Sequence, residues 1–428
     1  MLSTFGLSDP GNRKINEDAC YFDSGLGLSI VCDGISATKG GDIASAIAID
    51  VIKEQVHVNQ AVLEAANHDP ASTEKCHALA RMLEKAVAEA SRAIFQRWQK
   101  DSSFAGMSTT IDVLLFAGNY AVLAHVGSGR IYLSRDKTLH QITEDHTQFA
   151  ELKKKGKEIP AGQDPAALSK RITRAAGHHE EVKVDVLEVE LMDGDLFFLC
   201  TDGVWATFPQ NQWNIFLEKK SPEAIVQNLM AQVKTLAPKD NYTLLLTQKS
   251  LAVPIAEDKK ITAQTKLELT GKIPLFQYLS YAEMIKVMSI SEIFKVKAGQ
   301  VICKEGEPGN EMMVILSGIL HVTIAGKKIA ELGAGQAVGE MSMIEGGLRT
   351  ATLSSFTDAN LLAFSRVALF GLLREEPELS VKFLWGLTSE LNRRLRSTTN
   401  QLAGKKDAAP VSATSSKSAT IFPFVPTN

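Results

Sequence analysis

The stretch Leu28-Ser-Ile-Val-Cys-Asp33-Gly34 is a short apolar run with β-branched residues that ends in Asp and then Gly. Such a run reads as a buried strand closing in a tight turn. It holds an acid on a rigid element with its carboxylate at the rim, and the Gly lets the backbone come close to whatever the acid binds. The same device recurs in Leu196-Phe-Phe-Leu-Cys-Thr-Asp202-Gly203, and Asp240-Asn241 stands just before the apolar run Tyr242-Thr-Leu-Leu-Leu-Thr. Carboxylates brought together at strand ends repel one another unless a cation or a proton lies between them. A hard metal ion is the simplest solution.

The rest of the chain bounds this reading. Its 428 residues are too many for one ordinary core, so two domains or more are expected. A composition of 45% hydrophobic and 22% charged residues favours neither disorder nor a membrane class. A net charge of -3 argues against a general binder of nucleic acid or anionic membrane. No apolar run approaches the roughly 20 residues of a membrane span. The N-terminus lacks the basic region and apolar core of a signal peptide. Five scattered cysteines form no disulfide framework, so a reduced, cytoplasmic protein is expected. Cys32 and Cys200 read as small buried apolar residues rather than ligands.

Taken in order, the first half opens with Gly11-Asn-Arg13-Lys-Ile-Asn16-Glu17-Asp18, an Arg within reach of two acids. Arg13 is either a surface ion pair or a phosphate fork. Helical composition follows at Ile43–Ile52 and from about Ala71 to Gln99, where Ala78, Leu83, Val87, Ala90 and Ile94 recur at helical spacing. Short strands with Gly-rich turns follow, as in Gly106–Gly118 and Asn119–Leu133, and argue for antiparallel pairing. Helices in blocks between strand blocks make an α+β layered pattern. Residues 147–171 are polar and basic, either a solvated helix face or a substrate-facing flap.

Together these motifs resemble the metal-dependent, type 2C serine/threonine protein phosphatases over about residues 1–248. The resemblance runs through Arg13 with Asn16-Glu17-Asp18, Asp33-Gly34 with Gly41-Asp42, Gly106-Met-Ser-Thr-Thr, Gly127 with Arg130, Asp145-His146, Thr173-Arg174, Cys200-Thr-Asp202-Gly203 and Asp240-Asn241. It implies a four-layer α-β-β-α sandwich and two Mn²⁺ or Mg²⁺ ions. The implied ligands are Asp33, the Gly34 carbonyl, Asp202 and Asp240, with Glu17 or Asp18 directly or through water. Arg13 would hold the phosphate of a phosphoprotein substrate. The implied chemistry is two-metal hydrolysis without a nucleophilic side chain. Three departures stand out. Thr38 occupies the place of the usual His, which Thr cannot replace as a general acid. Gly127-Ser128-Gly129-Arg130 lacks the usual Asp, which weakens a third metal site. The loop Asp33-Gly34-Ile35-Ser36-Ala37-Thr38 also lacks the usual Gly-Gly pair, which implies a different loop shape.

The second half differs in kind. After a linker at 249–270, Ser280 followed by Glu283 is a capping-box signature that starts a helix. Evenly spaced short strands at 293–296, 301–305, 312–316, 319–324 and 328–332, punctuated by turns, suggest a β-jelly roll. Glu340 and Arg349 flank room for one helical turn. They either pair with each other or form a phosphate cradle with an acid for a sugar hydroxyl. Residues 364–402 read as helical, and the Ser/Ala/Thr/Pro-rich 404–428 as a disordered tail.

Residues 271–403 resemble the cyclic-nucleotide-binding domain of catabolite activator protein and the nucleotide-dependent kinases. The resemblance rests on Phe276, Gly299, Glu305-Gly306, Gly318, Gly335, Gly339-Glu340 and Arg349-Thr350-Ala-Thr. It implies that Glu340 binds the ribose 2′-hydroxyl and Arg349 the cyclic phosphate, with Gly339 and Thr350 beside them. The ligand would be cAMP or cGMP. The expected whole is a serine/threonine phosphoprotein phosphatase regulated by cyclic nucleotide; a catalytically weak sensor or adaptor is the alternative. The amphipathic C-terminal helix would suit a homodimer.

Overall fold

The computed structural model describes residues 2–36, 39–160, 162–217, 221–249 and 273–402. Thr38, the linker from residue 250 and the tail at 404–428 lie outside them. Contacts divide the chain into two units, the second beginning at Ile255.

In the first unit, strands β1 (Leu2–Asp9), β2 (Asp18–Asp23) and β3 (Leu28–Ile35) lead into helices α1 (Gly41–Val58), α2 (Gln60–His68) and α3 (Thr73–Lys100). Then come β4 (Ser108–Thr109), β5 (Ile111–Ala117), β6 (Tyr120–Val126), β7 (Arg130–Arg135) and β8 (Thr138–Gln141). Two short helices, α4 (Gln148–Lys154) and α5 (Pro165–Ser169), occupy the basic stretch. The unit closes with β9 (Asp185–Glu190), β10 (Leu196–Cys200), α6 (Asp202–Trp205), α7 (Pro222–Thr235) and β11 (Tyr242–Lys249).

The strands make two antiparallel sheets, ordered β1-β11-β10-β7-β8 and β2-β3-β5-β6-β9, with β4 on the edge of β3. The period-two rule of strands decides which residues face where. On β3, Ile30 and Cys32 pack outward with Ala48, Ile52, Leu83 and Val87 of α1 and α3. On β10, Phe198 and Cys200 pack outward with Val226 and Leu229 of α7. The alternate residues face the other sheet. Ser29 lies 3.0 Å from Thr247, and the Phe116 and Phe197 rings meet edge-on at 5.5 Å. The result is an α-β-β-α sandwich. Local chemistry starts its helices: Ser72 caps α3 through the Lys75 N–H, Asp164 and Pro165 start α5, and Ser221 and Pro222 start α7.

The second unit begins its helical part with α8 (Tyr281–Ser289), where Ser280 and Glu283 form the reciprocal capping box expected from their spacing. Strands β12 (Ser291–Val296), β13 (Val301–Cys303), β14 (Glu311–Ser317), β15 (Leu320–Ile324), β16 (Lys327–Leu332) and β17 (Ala337–Val338) follow. After α9 (Glu340–Glu345) come β18 (Thr352–Ser355), β19 (Ala359–Ser365), α10 (Arg366–Glu375) and α11 (Pro377–Leu402). The two four-stranded antiparallel sheets, β12-β19-β14-β17 and β13-β18-β15-β16, make the jelly roll. The helical region begins later than residue 364. Phe364 sits in β19 opposite Met312, its side chain fully buried against Phe276. The helix is also broken, between Glu375 and Pro377, because proline supplies no N–H to continue it.

Candidate functional site

Parity places the acids. Since Ile30 and Cys32 face the helices, Asp33 faces the opposing sheet, at the end of the cleft between the two. Asp18 on β2 stands directly across from it in register. From the other sheet, Thr201 and Thr243 both donate to Asp18 Oδ2, at 2.9 and 2.7 Å. Asp202 follows Thr201, and Asp240 leads into β11. The structure thus brings Asp18, Asp33, Asp202 and Asp240 to one end of the sandwich. Burial pushes the Asp18 carboxyl up to about 7, with Asp202 and Asp240 adding to the rise. Burial, then Asp240, pushes Asp202 up to about 6. Asp33 is driven well above the usual carboxylate range by burial, then by Asp18, Asp202 and Asp240.

Asp18 Oδ1 is a buried oxygen with no hydrogen-bond partner. An orphaned carboxylate oxygen among mutually repelling acids suits a divalent cation, which would remove the electrostatic conflict. Among the described residues no three such side chains are already gathered around one point. The acids are neighbours rather than a closed cage.

Backbone and second-tier contacts fix this end. Gly34 N–H donates to the Glu17 carbonyl at 3.1 Å. A Cβ on Gly34 would lie 2.2 Å from the Gly41 carbonyl oxygen, so only glycine allows this approach. Glu17 accepts from Ser36 Oγ at 2.6 Å. Arg13 pairs with Asp240 at 2.8 Å and lies 3.9 Å from Glu17. Asn241 pins the loop that carries these residues: its amide donates to the Pro10 and Ile15 carbonyls, and its oxygen accepts from Glu17 N–H. In the sequence Asn241 and Thr201 are only parts of motifs, without a role of their own, and Thr243 belongs to none; the role of the two threonines appears only when the two sheets close on Asp18.

A buried polar network lies between the sheets, also unmarked as a unit. Asp112 on β5 meets His125 Nδ1 at 2.7 Å, and His125 Nε2 is 2.9 Å from the Glu144 carbonyl, which requires the Nε2 proton. His146 Nδ1 accepts from Gly127 N–H, leaving Nε2–H to donate to Asp185. Burial lowers His146 to about 4. Burial works against Asp185, yet His146 and Arg174 hold it well below the usual carboxylate range. These histidines are satisfied structural residues. Cys32 and Cys200 are likewise fully buried, and burial raises both thiols. Ser128 Oγ is buried without a partner.

The second unit holds a cavity of about 760 Å³ lined by Gly339, Glu340, Arg349 and Thr350, with Arg394 reaching in from α11. Arg349 is 8% exposed and donates to the Glu311 carbonyl at 2.8 Å. Gly339 has φ 81°, and a Cβ there would stand 2.3 Å from Arg349 Nη1. Hydrogen bonds with Gly306 and Glu307 fasten the Arg349 backbone. The Glu340 carboxylate meets Arg394 at 3.4 Å, and Arg394 also donates to the Ala337 carbonyl. The charged partner of Glu340 here is therefore a helix residue that sequence spacing could not single out.

An α-β-β-α sandwich with an acid cluster at one end, and a jelly roll with a buried Arg and Glu in its cavity, are the two architectures that the sequence resemblances imply. Comparison with known proteins agrees. A family model described as protein phosphatase 2C matches residues 6–236, and one described as cyclic nucleotide-binding domain matches residues 293–376. The chain belongs to the protein phosphatase 2C family and carries a cyclic nucleotide-binding domain. It is 27% identical over 225 residues to the serine/threonine phosphatase stp of Listeria welshimeri, covering 52% of this chain and 85% of that one. It is 32% identical over 192 residues to the serine/threonine protein phosphatase PstP of Mycobacterium tuberculosis, covering 45% of this chain and 34% of that one. The crystal structure of a Mycobacterium tuberculosis phosphatase, PstP/Ppp, superposes with a TM-score of 0.50 at 27% identity, over 58% of this chain and 99% of that one. The protein is a serine/threonine protein phosphatase, and metal dependence is general to its family. No helix among the described residues is long and apolar enough to cross a membrane.

Proposed function

We propose that this chain dephosphorylates serine and threonine residues of a phosphoprotein at a binuclear Mn²⁺ or Mg²⁺ site, under the control of cAMP or cGMP. Asp33, the Gly34 carbonyl, Asp202 and Asp240 would hold the ions, with Glu17 and Asp18 directly or through water. The observation that carries this reading is Asp18: a buried carboxylate with an orphaned oxygen, facing Asp33 across two strands. When bound, the ions supply Lewis acidity to the phosphoryl group and acidify water. The chain's own residues orient and exclude. Arg13 would exchange its exposed pairing with Asp240 for the phosphate, which a planar guanidinium matches well. Thr201 and Thr243 hold the Asp18 carboxylate in place, and Asn241 holds the Arg13–Glu17 loop.

The phosphatase domain would span 1–248 and the nucleotide domain 271–403. In the latter, Glu340 would take the ribose 2′-hydroxyl and Arg349 the singly charged cyclic phosphate, with Gly339 and Thr350 lining the same wall. Nucleotide shifts catalysis only by as much as its affinities for two states of the chain differ. The exposed Val381, Leu384 and Leu395 on α11 suit a homodimer, and the reduced cysteines suit the cytoplasm. Mn²⁺-dependent release of phosphate from a phosphothreonine peptide, with Asp202→Ala as control, tests the catalytic part. Turnover that survives Asp202→Ala would refute the ligand assignment.

A further inference from the structure

The basic stretch after Asp145 is built against the acid end of the sandwich. Cys200 of β10 pairs with Arg130 of β7, and Arg130 holds Asp145 through two hydrogen bonds of 2.8 and 2.7 Å. His146 N–H is tied to the Gly127 carbonyl at 2.7 Å, and Thr173 N–H to the His146 carbonyl at 2.8 Å. Gln148 N–H donates to the Arg171 carbonyl, and Thr147 bridges Ile172. Both ends of the segment 148–171 are therefore fastened beside the strand end that presents Asp202. Lys170, the C-cap of α5, lies at that base and is exposed. Arg13 is the other cation at the acid end, where it meets Asp240 at 2.8 Å.

The two cations differ in what they already hold. Arg13 is paired with Asp240 and Glu17. Lys170 has no ion-pair partner among the described residues. The segment around it is basic in composition: 148–171 has six Lys or Arg against three Asp or Glu, in a chain whose net charge is -3. Lys154 and Lys155 pair with Glu144 and Glu151, while Lys153, Lys157 and Lys170 all stand exposed.

We propose that Lys170 and the basic face of segment 148–171 read acidic residues flanking the phosphoserine or phosphothreonine, so that the enzyme prefers acidic phosphosites. The inference rests on the catalytic reading above and adds the substrate class. Charge complementarity at a solvated rim gives selectivity and a salt-sensitive association rate rather than large affinity.

The test compares kcat/KM for two phosphothreonine peptides that differ only in having Asp and Glu, or Ala and Gln, beside the phosphorylated residue, with Mn²⁺ present. Wild type should favour the acidic peptide about threefold to tenfold at low salt. That ratio should approach one when the Debye length falls to about 3 Å near 1 M salt. Lys170→Met should bring the low-salt ratio close to one, and Lys170→Arg should keep it above one. A role confined to folding would scale both peptides together and leave the ratio alone. A wild-type ratio of one or less, or an unchanged ratio in Lys170→Met, overturns the proposal while leaving the catalytic reading intact. Absence of Mn²⁺-dependent turnover on both peptides overturns the catalytic reading, and this one with it.

Discussion

Replacing Asp18 with Asn should stabilise the metal-free first unit at alkaline pH and cost it the gain from metal. The wild-type carboxyl sits at about 7 against an ordinary 3.8, driven first by burial. A carboxyl raised in the folded state contributes stability that is full below pH 3.8 and lost as pH rises through about 7. At about 1.36 kcal/mol per pH unit, ionised Asp18 costs the metal-free fold about 4 kcal/mol at pH 8. An Asn oxygen still accepts from Thr201 and Thr243, and its amide puts a donor where Oδ1 is orphaned, facing Asp33. Half of the electrostatic cost, about 2 kcal/mol, is a conservative expectation, since Asp33 and Asp202 also relax. Urea unfolding in EDTA, followed by tryptophan fluorescence in a Trp385→Phe background, isolates Trp98, Trp205 and Trp213 of the first unit. D18N should be the more stable protein at pH 8, with the difference shrinking as pH falls and gone only below about pH 3.8. Excess Mn²⁺ should reverse the order, because a ligand at a hundredfold its Kd adds about 2.7 kcal/mol to the form that binds it. A D18N protein less stable than wild type in EDTA at pH 8 would refute the reasoning.

Other outcomes follow from the same geometry. Gly34→Ala puts a methyl 2.2 Å from the Gly41 carbonyl, so it should cost about 3 kcal/mol or abolish cooperative unfolding in the same urea assay. His146, lowered to about 4 by burial, contributes stability that is full above 6.5 and lost as pH falls through about 4. With Mn²⁺ present, His146→Asn should therefore flatten the pH dependence of unfolding between those values. In calorimetric titrations with cAMP and cGMP, Arg349→Ala should weaken binding about a hundredfold through loss of a charged hydrogen bond. Arg394→Ala should instead tighten it about twofold to fivefold, because Glu340 no longer has to leave an ion pair to meet the ribose.

Much of this molecule is legible in the sequence where local rules suffice. Asp33 follows from a strand ending in Asp-Gly, and the period of two then turns it inward while Cys32 turns out. Ser280 and Glu283 announce a helix start, and both hydrogen bonds of the capping box form. Phe364 escaped because Leu361, Leu362, Phe364 and Leu369 fit a helix face as well as a strand, and only the pairing of β19 with β14 decides. Thr201 and Thr243 escaped because their partner, Asp18, lies some two hundred residues away in sequence. Arg394 escaped because its meeting with Glu340 depends on where α11 crosses the cavity rather than on any spacing. The basic stretch 148–171 held two readings in sequence, and its fastening to Gly127 and Arg130 is what favours the substrate-facing one.

Under the proposed function, nucleotide occupancy of the second unit alters catalysis in the first. The most direct measurement is Mn²⁺-dependent hydrolysis of a phosphothreonine peptide by the full chain across a titration of cAMP and of cGMP, run beside Arg349→Ala. One nucleotide should change kcat/KM along its own binding curve, and Arg349→Ala should keep the nucleotide-free rate but lose the response. A rate unmoved by nucleotides that calorimetry shows to be bound would contradict it.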